Sequence, residues 1–307
     1  MKYIREKMCR FGDGYFDADI YTMDNSYEPP AKRARRKRLS PPHILAANDR
    51  HSRNQLRQLI IHNFRNGDYY LTPTYAGKLP TFGDAQRQLS NYITRLKRLY
   101  QKHGTELRAI YVTEGGRVKN DEGDCTRVHH HLCISGGVPR EEIEKAWKGR
   151  QDDTAESRRG FCNCSMIQSG DGERGCERIA EYMSKSRTKT IGKGLHRWNA
   201  TRNIKRPEET INDNKFSRKR TNEIIELVKA QKAAQQENTE ALRRILEARY
   251  NMEIIDVISS VNPVTGRVYI SARFRRKQEL SEHKSKKRQY GAFPAMPLFG
   301  NTYTASL

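Results

Sequence analysis

The sequence predicts an α+β fold, in which antiparallel strands joined by turns are combined with amphipathic helices. Two stretches rich in strand-forming residues, 107–114 and 127–135, flank a turn-forming segment, which is typical of a hairpin. A second hairpin is predicted over 252–274. Apolar residues recur at helical spacing over 84–103, and Gly104 follows where such a helix would end. We therefore expect an antiparallel sheet with helices beside it.

The composition is strongly basic and points to a polyanionic partner. The chain has 307 residues, with 58 Lys and Arg against 36 Asp and Glu, and a formal net charge of +22. A surplus of this size favours nucleic acid as the partner. A membrane is not expected, because no apolar run approaches the roughly 20 residues that span a bilayer. Hydrophobic residues make up 35% of the chain, which predicts one core of moderate size with polar extensions.

The cysteines and the first residues bear on the cellular compartment. Residues 1–10 hold basic side chains with no apolar block behind them, so a secretory signal is not expected. The six cysteines show no disulfide-framework pattern, which fits a reducing cytosol. The expected localisation is therefore cytoplasmic.

Residues 1–50 are predicted to form a basic N-terminal arm or linker, with a short extended segment at 15–21. Its basic run is followed by Ser-Pro-Pro and consists of Lys32, Arg33, Arg35, Arg36, Lys37 and Arg38. A charge run beside prolines is most simply a solvated linker. The same residues could also grip phosphates, or act as a nuclear import signal if the host is eukaryotic.

Helices and strands are expected from the arm onwards. A helix over about 49–64 precedes a strand at 69–75, in which Pro73 favours an edge position or the strand end. After the first hairpin, a short helix at 139–148 leads into a polar, Gly-rich loop at 149–175.

The second half of the chain is predicted to be largely helical before the second hairpin. A helix runs from about 177 to 186 and is followed by a mixed polar segment at 198–207. Apolar residues at helical spacing predict one or two helices over 218–250. The basic and Gly/Pro/Ala-containing sequence from 278 onwards predicts a flexible tail.

Three consecutive histidines begin the strand at 127–135. Because side chains alternate along a strand, His129 and His131 point to one face and His130 to the other. Two imidazoles at this spacing suit one divalent metal ion. The alternative is a half-buried strand whose histidines are merely polar.

A carboxylate would complete such a metal site. Glu114 ends the strand that is predicted to pair with the histidine strand, so its side chain could reach the same ion. The alternative is an exposed acid at a strand end. Two imidazoles and one carboxylate suit Mg²⁺ or Mn²⁺ acting on phosphate, and zinc remains an alternative.

Tyr182 is the candidate nucleophile, because a phenol can attack phosphorus and form a phosphotyrosyl intermediate. A phenol ionises in water only near pH ~10, so it needs help from a metal or a cation. Lys185, one helical turn further on, could give that help or hold the phosphate. The alternative for Tyr182 is a core aromatic on an amphipathic helix.

Three motifs in this order resemble the HUH endonucleases, specifically the rolling-circle replication initiators of phages and plasmids. The first is the strand motif Tyr69-Tyr70-Leu71-Thr72-Pro73. The second is His129-His130-His131, with His in place of the usual hydrophobic middle residue, and the third is Tyr182-Met183-Ser184-Lys185. The position of Glu114 is similar to that of the acidic ligand in this family. The resemblance covers about residues 68–206.

The resemblance implies an RRM-like (HUH) central antiparallel β-sheet, with the histidine strand near its middle and the tyrosine helix packed beside it. It implies nicking of single-stranded DNA at an origin, with Tyr182 joined to the 5′-phosphate and a 3′-OH left for a polymerase. Two departures stand out. His130 would face away from the metal at a strand surface, and Ser186 stands where a second tyrosine would be expected. Termination would then need a second protomer, and hence a homo-oligomer, or re-use of one tyrosine.

With this family as a guide, three regions are expected: the arm at 1–50, an HUH endonuclease domain at 51–277 and a flexible tail at 278–307. The domain is expected to divide into a catalytic core at about 68–206, a helical insertion at about 207–250 and the β-hairpin at 252–274. DNA contacts are assigned to Arg127, Arg178 and the basic run of the arm. The expected partners are single-stranded origin DNA, a host DNA polymerase and a host helicase, all in the cytoplasm of a bacterial host. A host helicase is expected because the chain has no Gly-x-x-x-x-Gly-Lys-[Ser/Thr] loop.

Other functions remain open at this point. A single-tyrosine HUH transposase or relaxase would share the chemistry but recognise different DNA. A non-catalytic nucleic-acid-binding protein would use the basic surface and exposed aromatics alone. A zinc-stabilised regulator using Cys162, Cys164 and Cys176 is disfavoured, because these cysteines lack a clear fourth ligand.

Overall fold

The computed structural model describes residues 2–24, 42–115, 127–148, 157–168, 174–184, 198–234, 239–262 and 265–277. All of these except Lys277 belong to one compact unit, Met1–Arg276. Lys185, the basic run at 32–38 and the predicted tail at 278–307 lie outside the described residues. Within the described part, no helix is long and apolar enough to cross a membrane.

The described residues form ten strands and six helices, so the predicted α+β class is confirmed. In chain order the elements are β1 (Lys2–Phe11), β2 (Tyr15–Asp24), α1 (Pro42–Asn63), β3 (Tyr69–Gly77), α2 (Phe82–Lys102), β4 (Ala109–Glu114), β5 (His129–Ile134), α3 (Arg140–Lys148), β6 (Ser157–Met166), α4 (Arg174–Ser184), β7 (Asn199–Ala200), β8 (Glu208–Asn212), α5 (Arg218–Ala233), α6 (Glu240–Tyr250), β9 (Met252–Val261) and β10 (Val268–Arg276).

The strands form two antiparallel five-stranded sheets. The first, here called the hairpin sheet, has the order β8-β1-β2-β10-β9. The second, here called the histidine sheet, has the order β6-β3-β5-β4-β7. The predicted pairing of the strand that ends at Glu114 with the histidine strand is confirmed, since β4 pairs antiparallel with β5. The histidine strand β5 is the central strand, as the resemblance implies.

The N-terminal residues differ from the prediction. An arm is predicted over 1–50, but β1 and β2 form a hairpin that pairs with β8 on one side and β10 on the other. The basic residues that suggest an arm alternate with buried ones: Ile4 and Glu6 lie in the interior, and Arg5 between them pairs with Asp213. The buried carboxylate of Glu6 accepts a hydrogen bond from the Tyr250 hydroxyl. The arm prediction is therefore wrong for residues 2–24.

Each sheet buries apolar side chains against helices. The hairpin sheet packs one face on α5 and α6. The histidine sheet packs one face on α2 and α3, and the other on α1 and α4. The end of the β1–β2 hairpin, with Phe11 and Tyr15, joins the second of these cores. The helix α1 thus lies against both the histidine sheet and the N-terminal hairpin.

Two further elements differ from the prediction, and several agree with it. The helix α1 begins at Pro42, earlier than expected, and β6 occupies part of the segment 149–175 that is predicted to be a loop. The hairpin of β9 and β10 and the helices α2, α3, α5 and α6 lie where the sequence predicts them.

The start of β3 is held against the end of β5 by a close backbone approach. The Gly136 amide donates to Asp68 Oδ1 at 2.8 Å. A Cβ atom at Gly136 would lie 2.2 Å from the carbonyl oxygen of Gly67, so only glycine fits there. This contact fixes how β3 and β5 meet, and therefore which side chains of β3 lie beside the histidines.

Candidate metal and nucleophile site

The strands β4 and β5 bring the predicted metal ligands to one face of the histidine sheet. Glu114 lies directly opposite His129 in the antiparallel register, and His131 lies two residues further along β5 on the same face. The Glu114 carboxylate Oε2 is 3.5 Å from His129 Nε2 and 3.7 Å from His131 Nε2. One ligand atom from each residue lies within 4.8 Å of the others. The structure thus brings together the three residues that the sequence singles out.

The carboxylate of Glu114 is ionised at neutral pH although it is almost fully buried. Burial raises the pKa of Glu114, but the nearby imidazoles of His129 and His131 outweigh it and lower the pKa to about 2. A buried anionic oxygen beside two imidazole nitrogens attracts a cation. The site therefore has the charge that a divalent ion requires.

Both histidines direct Nε2 toward Glu114 and use Nδ1 elsewhere. His129 Nδ1 lies 3.0 Å from the Arg127 carbonyl, which can only accept, so Nδ1 donates and Nε2 keeps its lone pair in the neutral ring. His131 Nδ1 lies 2.7 Å from the Tyr70 hydroxyl. His131 Nε2 is buried and has no hydrogen-bond partner among the described residues. Two outward-braced imidazoles with inward nitrogens are typical of metal ligands.

The donor set accepts a divalent ion without selecting one. Imidazole nitrogens suit zinc and other transition metals, whereas a carboxylate oxygen suits Mg²⁺ and Mn²⁺. The three residues Glu114, His129 and His131 are the one group of this kind among the residues that the structure describes.

His130 points to the opposite face, as predicted, but it lies in the core and not at a strand surface. It is fully buried beside Trp147, at a ring-centroid distance of 5.8 Å. Its Nε2 lies 2.7 Å from the Tyr75 hydroxyl and its Nδ1 3.0 Å from the Thr113 hydroxyl. Burial, with the neighbouring histidines, lowers the pKa of His130 to about 3. His130 is therefore a neutral core residue.

The helix α4 carries Tyr182 over the face that holds the metal ligands. Ala180 and Met183 are buried, and the Cys133 thiol donates to Met183 Sδ at 3.5 Å, which anchors the helix to β5. The side chain of Tyr182 is 42% exposed, so it is not a core aromatic. Its ring lies edge-on to His131, with the two centroids 5.0 Å apart. An exposed phenol thus lies next to a candidate metal ligand.

The remaining predicted site residues are placed as follows. Lys185 and the basic run of the arm lie outside the described residues. Arg127 is exposed and donates to the Tyr75 carbonyl at 2.7 Å, two residues before His129. Arg178 is exposed on α4, four residues before Tyr182 and hence on the same side of the helix.

The cysteines of the zinc hypothesis do not come together. Cys162 and Cys164 are buried in the core between the histidine sheet and α2. Cys176 lies in the other core, where its thiol donates to the Phe64 carbonyl at 3.1 Å. Burial raises the pKa of all three thiols, to about 12, 12 and 11 respectively. They are buried structural thiols.

Tyr70 contacts the site, although nothing in the sequence alone assigns it a role there. It belongs to the first motif, yet its contact with His131 depends on the pairing of β3 with β5. The alternation of β3 would place Tyr70 on the metal face only once that register is known.

A family model described as a replication-associated protein of the ORF2 type matches residues 68–187. The matched segment begins just before β3, includes Glu114 and the histidines, and ends just after Tyr182 and Lys185. No curated protein and no solved structure gave a match to the chain. The match confirms the resemblance to replication initiators, and over residues 68–187 the chain belongs to this family of replication-associated proteins.

Proposed function

We propose that the chain is a metal-dependent endonuclease that nicks single-stranded DNA at a replication origin and thereby initiates rolling-circle replication. The observation that carries the proposal is the exposed phenol of Tyr182, whose ring lies 5.0 Å from that of His131 beside the buried Glu114. The match to a replication-associated family supplies the biological context.

Tyr182 supplies the nucleophile. Its phenolic oxygen forms a bond to phosphorus, and the bond between phosphorus and the 3′-oxygen of the preceding nucleotide breaks. The phenol gives up its proton and the leaving 3′-oxygen takes one up. The products are a 5′-phosphate joined to Tyr182 and a free 3′-OH.

The other residues act on charge and position. A divalent ion, Mg²⁺ or Mn²⁺, held by Glu114, His129 and His131 would polarise a phosphoryl oxygen and offset the charge that develops there. Lys185, three residues after Tyr182, would hold the phosphate or favour the phenolate. Contacts of Arg127, Arg178 and the basic run with other phosphates would keep the strand in place.

The wider cycle follows from this chemistry. The 3′-OH is a primer for a host DNA polymerase, and a host helicase would unwind the duplex. Because one tyrosine is assigned, closing the circle requires a second protomer or re-use of Tyr182. A single-tyrosine transposase or relaxase would perform the same cleavage on a different DNA.

The test is covalent capture of DNA by the purified protein. The full chain is incubated with single-stranded DNA from its own replicon and Mn²⁺, and the products are separated on a denaturing gel. We expect a slower-migrating adduct that requires metal. The adduct should be lost, by at least about a hundredfold, in Tyr182→Phe, while DNA binding persists.

Tyr111→Phe is the matched control, because Tyr111 lies on β4 with its side chain on the opposite face of the sheet. It should form the adduct as the wild type does. Retained DNA binding with no adduct under any divalent metal, on DNA tiled across the replicon, would overturn the proposal in favour of a non-catalytic DNA-binding protein.

A further inference from the structure

Tyr70 lies against the side of His131 that faces away from Glu114. It is opposite Cys133 in the β3–β5 pairing, and so is the diagonal neighbour of His131 on the same face. The phenol and imidazole rings are nearly parallel, with an interplanar angle of 5° and centroids 5.9 Å apart. The Tyr70 hydroxyl lies 2.7 Å from His131 Nδ1. The ring of His131 is therefore held between Tyr70 on one side and Tyr182 on the other.

The proton on His131 decides whether this residue can bind a metal. A neutral imidazole carries one N–H, and a metal ligand must present its lone pair. Since Nε2 is the nitrogen that faces Glu114, the proton must be on Nδ1, which then donates to the Tyr70 oxygen. The Tyr70 hydroxyl has its own proton to place, and the Thr72 side chain, on the same strand face, is within hydrogen-bonding reach. A chain from His131 through Tyr70 to Thr72 satisfies all three groups.

The two histidine ligands differ in how firmly this proton is fixed. The partner of His129 Nδ1 is a backbone carbonyl, which cannot donate, so the tautomer of His129 is determined by the backbone. The partner of His131 is a hydroxyl, which both donates and accepts. A mutation of one side chain can therefore release the tautomer of His131 but not that of His129.

We propose that Tyr70 is a positioning residue, which holds His131 in the Nδ1–H tautomer and in the ring orientation that direct Nε2 at the metal ion. The proposal rests on the assignment of the metal site made above. It makes Tyr70 a determinant of metal affinity and, through His131, of the environment of Tyr182.

The geometry is unfavourable for the other role that Tyr70 suggests, that of a second nucleophile. Its hydroxyl lies at Nδ1, on the far side of the imidazole from the Nε2 atom that faces Glu114. A phosphate bound next to the ion would thus be separated from Tyr70 by the ring of His131. Burial also raises the pKa of Tyr70, so it stays a neutral phenol.

The first experiment measures metal affinity without DNA. Mn²⁺ binding to the full-length wild type and to Tyr70→Phe is followed by isothermal titration calorimetry and by the EPR signal of free Mn²⁺. We expect Tyr70→Phe to bind Mn²⁺ roughly 10- to 100-fold more weakly, as is typical when the hydrogen-bond partner of a ligand is removed. Excess Mn²⁺ should restore DNA adduct formation in this variant.

Tyr69→Phe is the matched control. Tyr69 is the neighbouring residue on β3, packs in the core on the opposite face and loses the same hydroxyl. Its Mn²⁺ affinity should equal that of the wild type. Equal affinity of Tyr70→Phe and wild type, with both folded by circular dichroism, would overturn the proposal.

A second measurement needs no substitution at Tyr70. The ¹⁵N spectrum of the histidines in the metal-free wild type distinguishes the two tautomers, and His131 is assigned by the signal missing in His131→Asn. We expect Nδ1–H, and a spectrum with Nε2–H would refute the role of Tyr70. The outcome is independent of the adduct assay: a wild type that forms no adduct contradicts the nickase, whereas the Mn²⁺ affinity ratio and the tautomer report on Tyr70 alone.

Discussion

Adjacent histidines on β5 have opposite surroundings, and this difference determines what each contributes. His130 is enclosed by the core and hydrogen-bonded at both ring nitrogens, to Tyr75 and Thr113. His131 is also buried, but its Nε2 has no hydrogen-bond partner within the described part of the chain and faces a carboxylate. An unpaired buried nitrogen is costly unless a ligand completes it. The first residue thus contributes to stability, and the second is suited to binding an ion.

The same substitution at the two positions should separate these contributions. His130→Leu leaves the hydroxyls of Tyr75 and Thr113 without their partner, so the free energy of unfolding should fall by about 1–3 kcal/mol in urea titrations. The variant should still be stabilised by Mn²⁺, by about 2.7 kcal/mol at a hundred times the dissociation constant. His131→Leu should lose that response. A Mn²⁺ response that disappears in His130→Leu, or survives in His131→Leu, would contradict the assignment of faces.

The metal ligands could be predicted from the sequence because their arrangement is local to one hairpin. Strand alternation separates His129 and His131 from His130, and the expected β4–β5 pairing brings Glu114 beside them. Tyr70 could not be predicted, because its partner lies 61 residues away and the contact depends on the register of two strands. The burial of His130 is missed for a similar reason: the helix α3 that brings Trp147 over it is distant in sequence.

At the level of the elements, α1 connects the N-terminal hairpin to the histidine sheet. Its residues Leu56, Ile60 and Phe64 pack in the core that also contains residues of β4 and α4. At its C-terminal end, His62 Nδ1 accepts a hydrogen bond from the Gly12 amide in the β1–β2 turn, at 3.2 Å. The backbone at Gly12 has a positive φ of 52° and lies close to Ile61, so the turn is fitted tightly to the helix.

This contact should weaken in acid. Burial and, to a smaller extent, the charge of Lys205 lower the pKa of His62, against the opposite effects of Glu208 and Asp13. The unfolded chain therefore takes up a proton at His62 before the folded chain does, and stability falls as the pH drops through about 6.5. Protonated His62 also cannot accept from Gly12 if Nδ1 carries the proton.

The measurement is the melting temperature of the wild type and of His62→Gln at pH 7.5 and 5.5. Glutamine keeps an oxygen acceptor for the Gly12 amide but does not titrate. The melting temperature of the wild type should fall further between the two pH values than that of the variant. An equal fall in both proteins would exclude His62 as a source of acid sensitivity.

The elements that sequence reasoning misses share a feature: their apolar residues are few and alternate with charges or small polar residues. In β1, Ile4 is followed on the same face by Glu6, whose burial depends on the Tyr250 hydroxyl some 244 residues later. In β6, the buried residues are Cys162 and Cys164, and Gly160 lies close to the backbone of β3. Such strands have a weak periodic pattern, because neighbouring elements, more than their own sequence, make them stable.

At the scale of the molecule, α1 also joins the two sheets through a buried ion pair. Arg57 on α1 donates to the Asp17 carboxylate on β2, which also accepts from Gln58 at 2.6 Å. The guanidinium of Arg57 lies over the ring of Phe11, 5.4 Å from its centroid. The hairpin sheet is thus fastened to the helix that packs beside α4 and its Tyr182. The chain outside the matched family segment therefore supports the element that carries the proposed nucleophile.

The net charge of +22 acts on the whole molecule as an attraction to DNA. Binding of a cationic protein to single-stranded DNA releases counterions, so log K falls with log salt by about 0.7 for each phosphate neutralised. The basic run contributes six charges to the total: Lys32, Arg33, Arg35, Arg36, Lys37 and Arg38. If all six contact phosphates, the arm accounts for a slope of about 4.

Replacing these six residues with Gln should therefore weaken binding at low salt and reduce the salt slope by up to about 4, measured by fluorescence anisotropy on single-stranded DNA. Cleavage at saturating protein should be retained, because the proposed chemistry resides in Tyr182 and the metal ligands. A variant with the same residues in a different order is the control, since an electrostatic attraction depends on charge and not on sequence, and its slope should match the wild type. An unchanged slope in the Gln variant would mean that the arm does not contact phosphates, and the attraction would then come from the folded unit, where Arg127 and Arg178 lie beside the site.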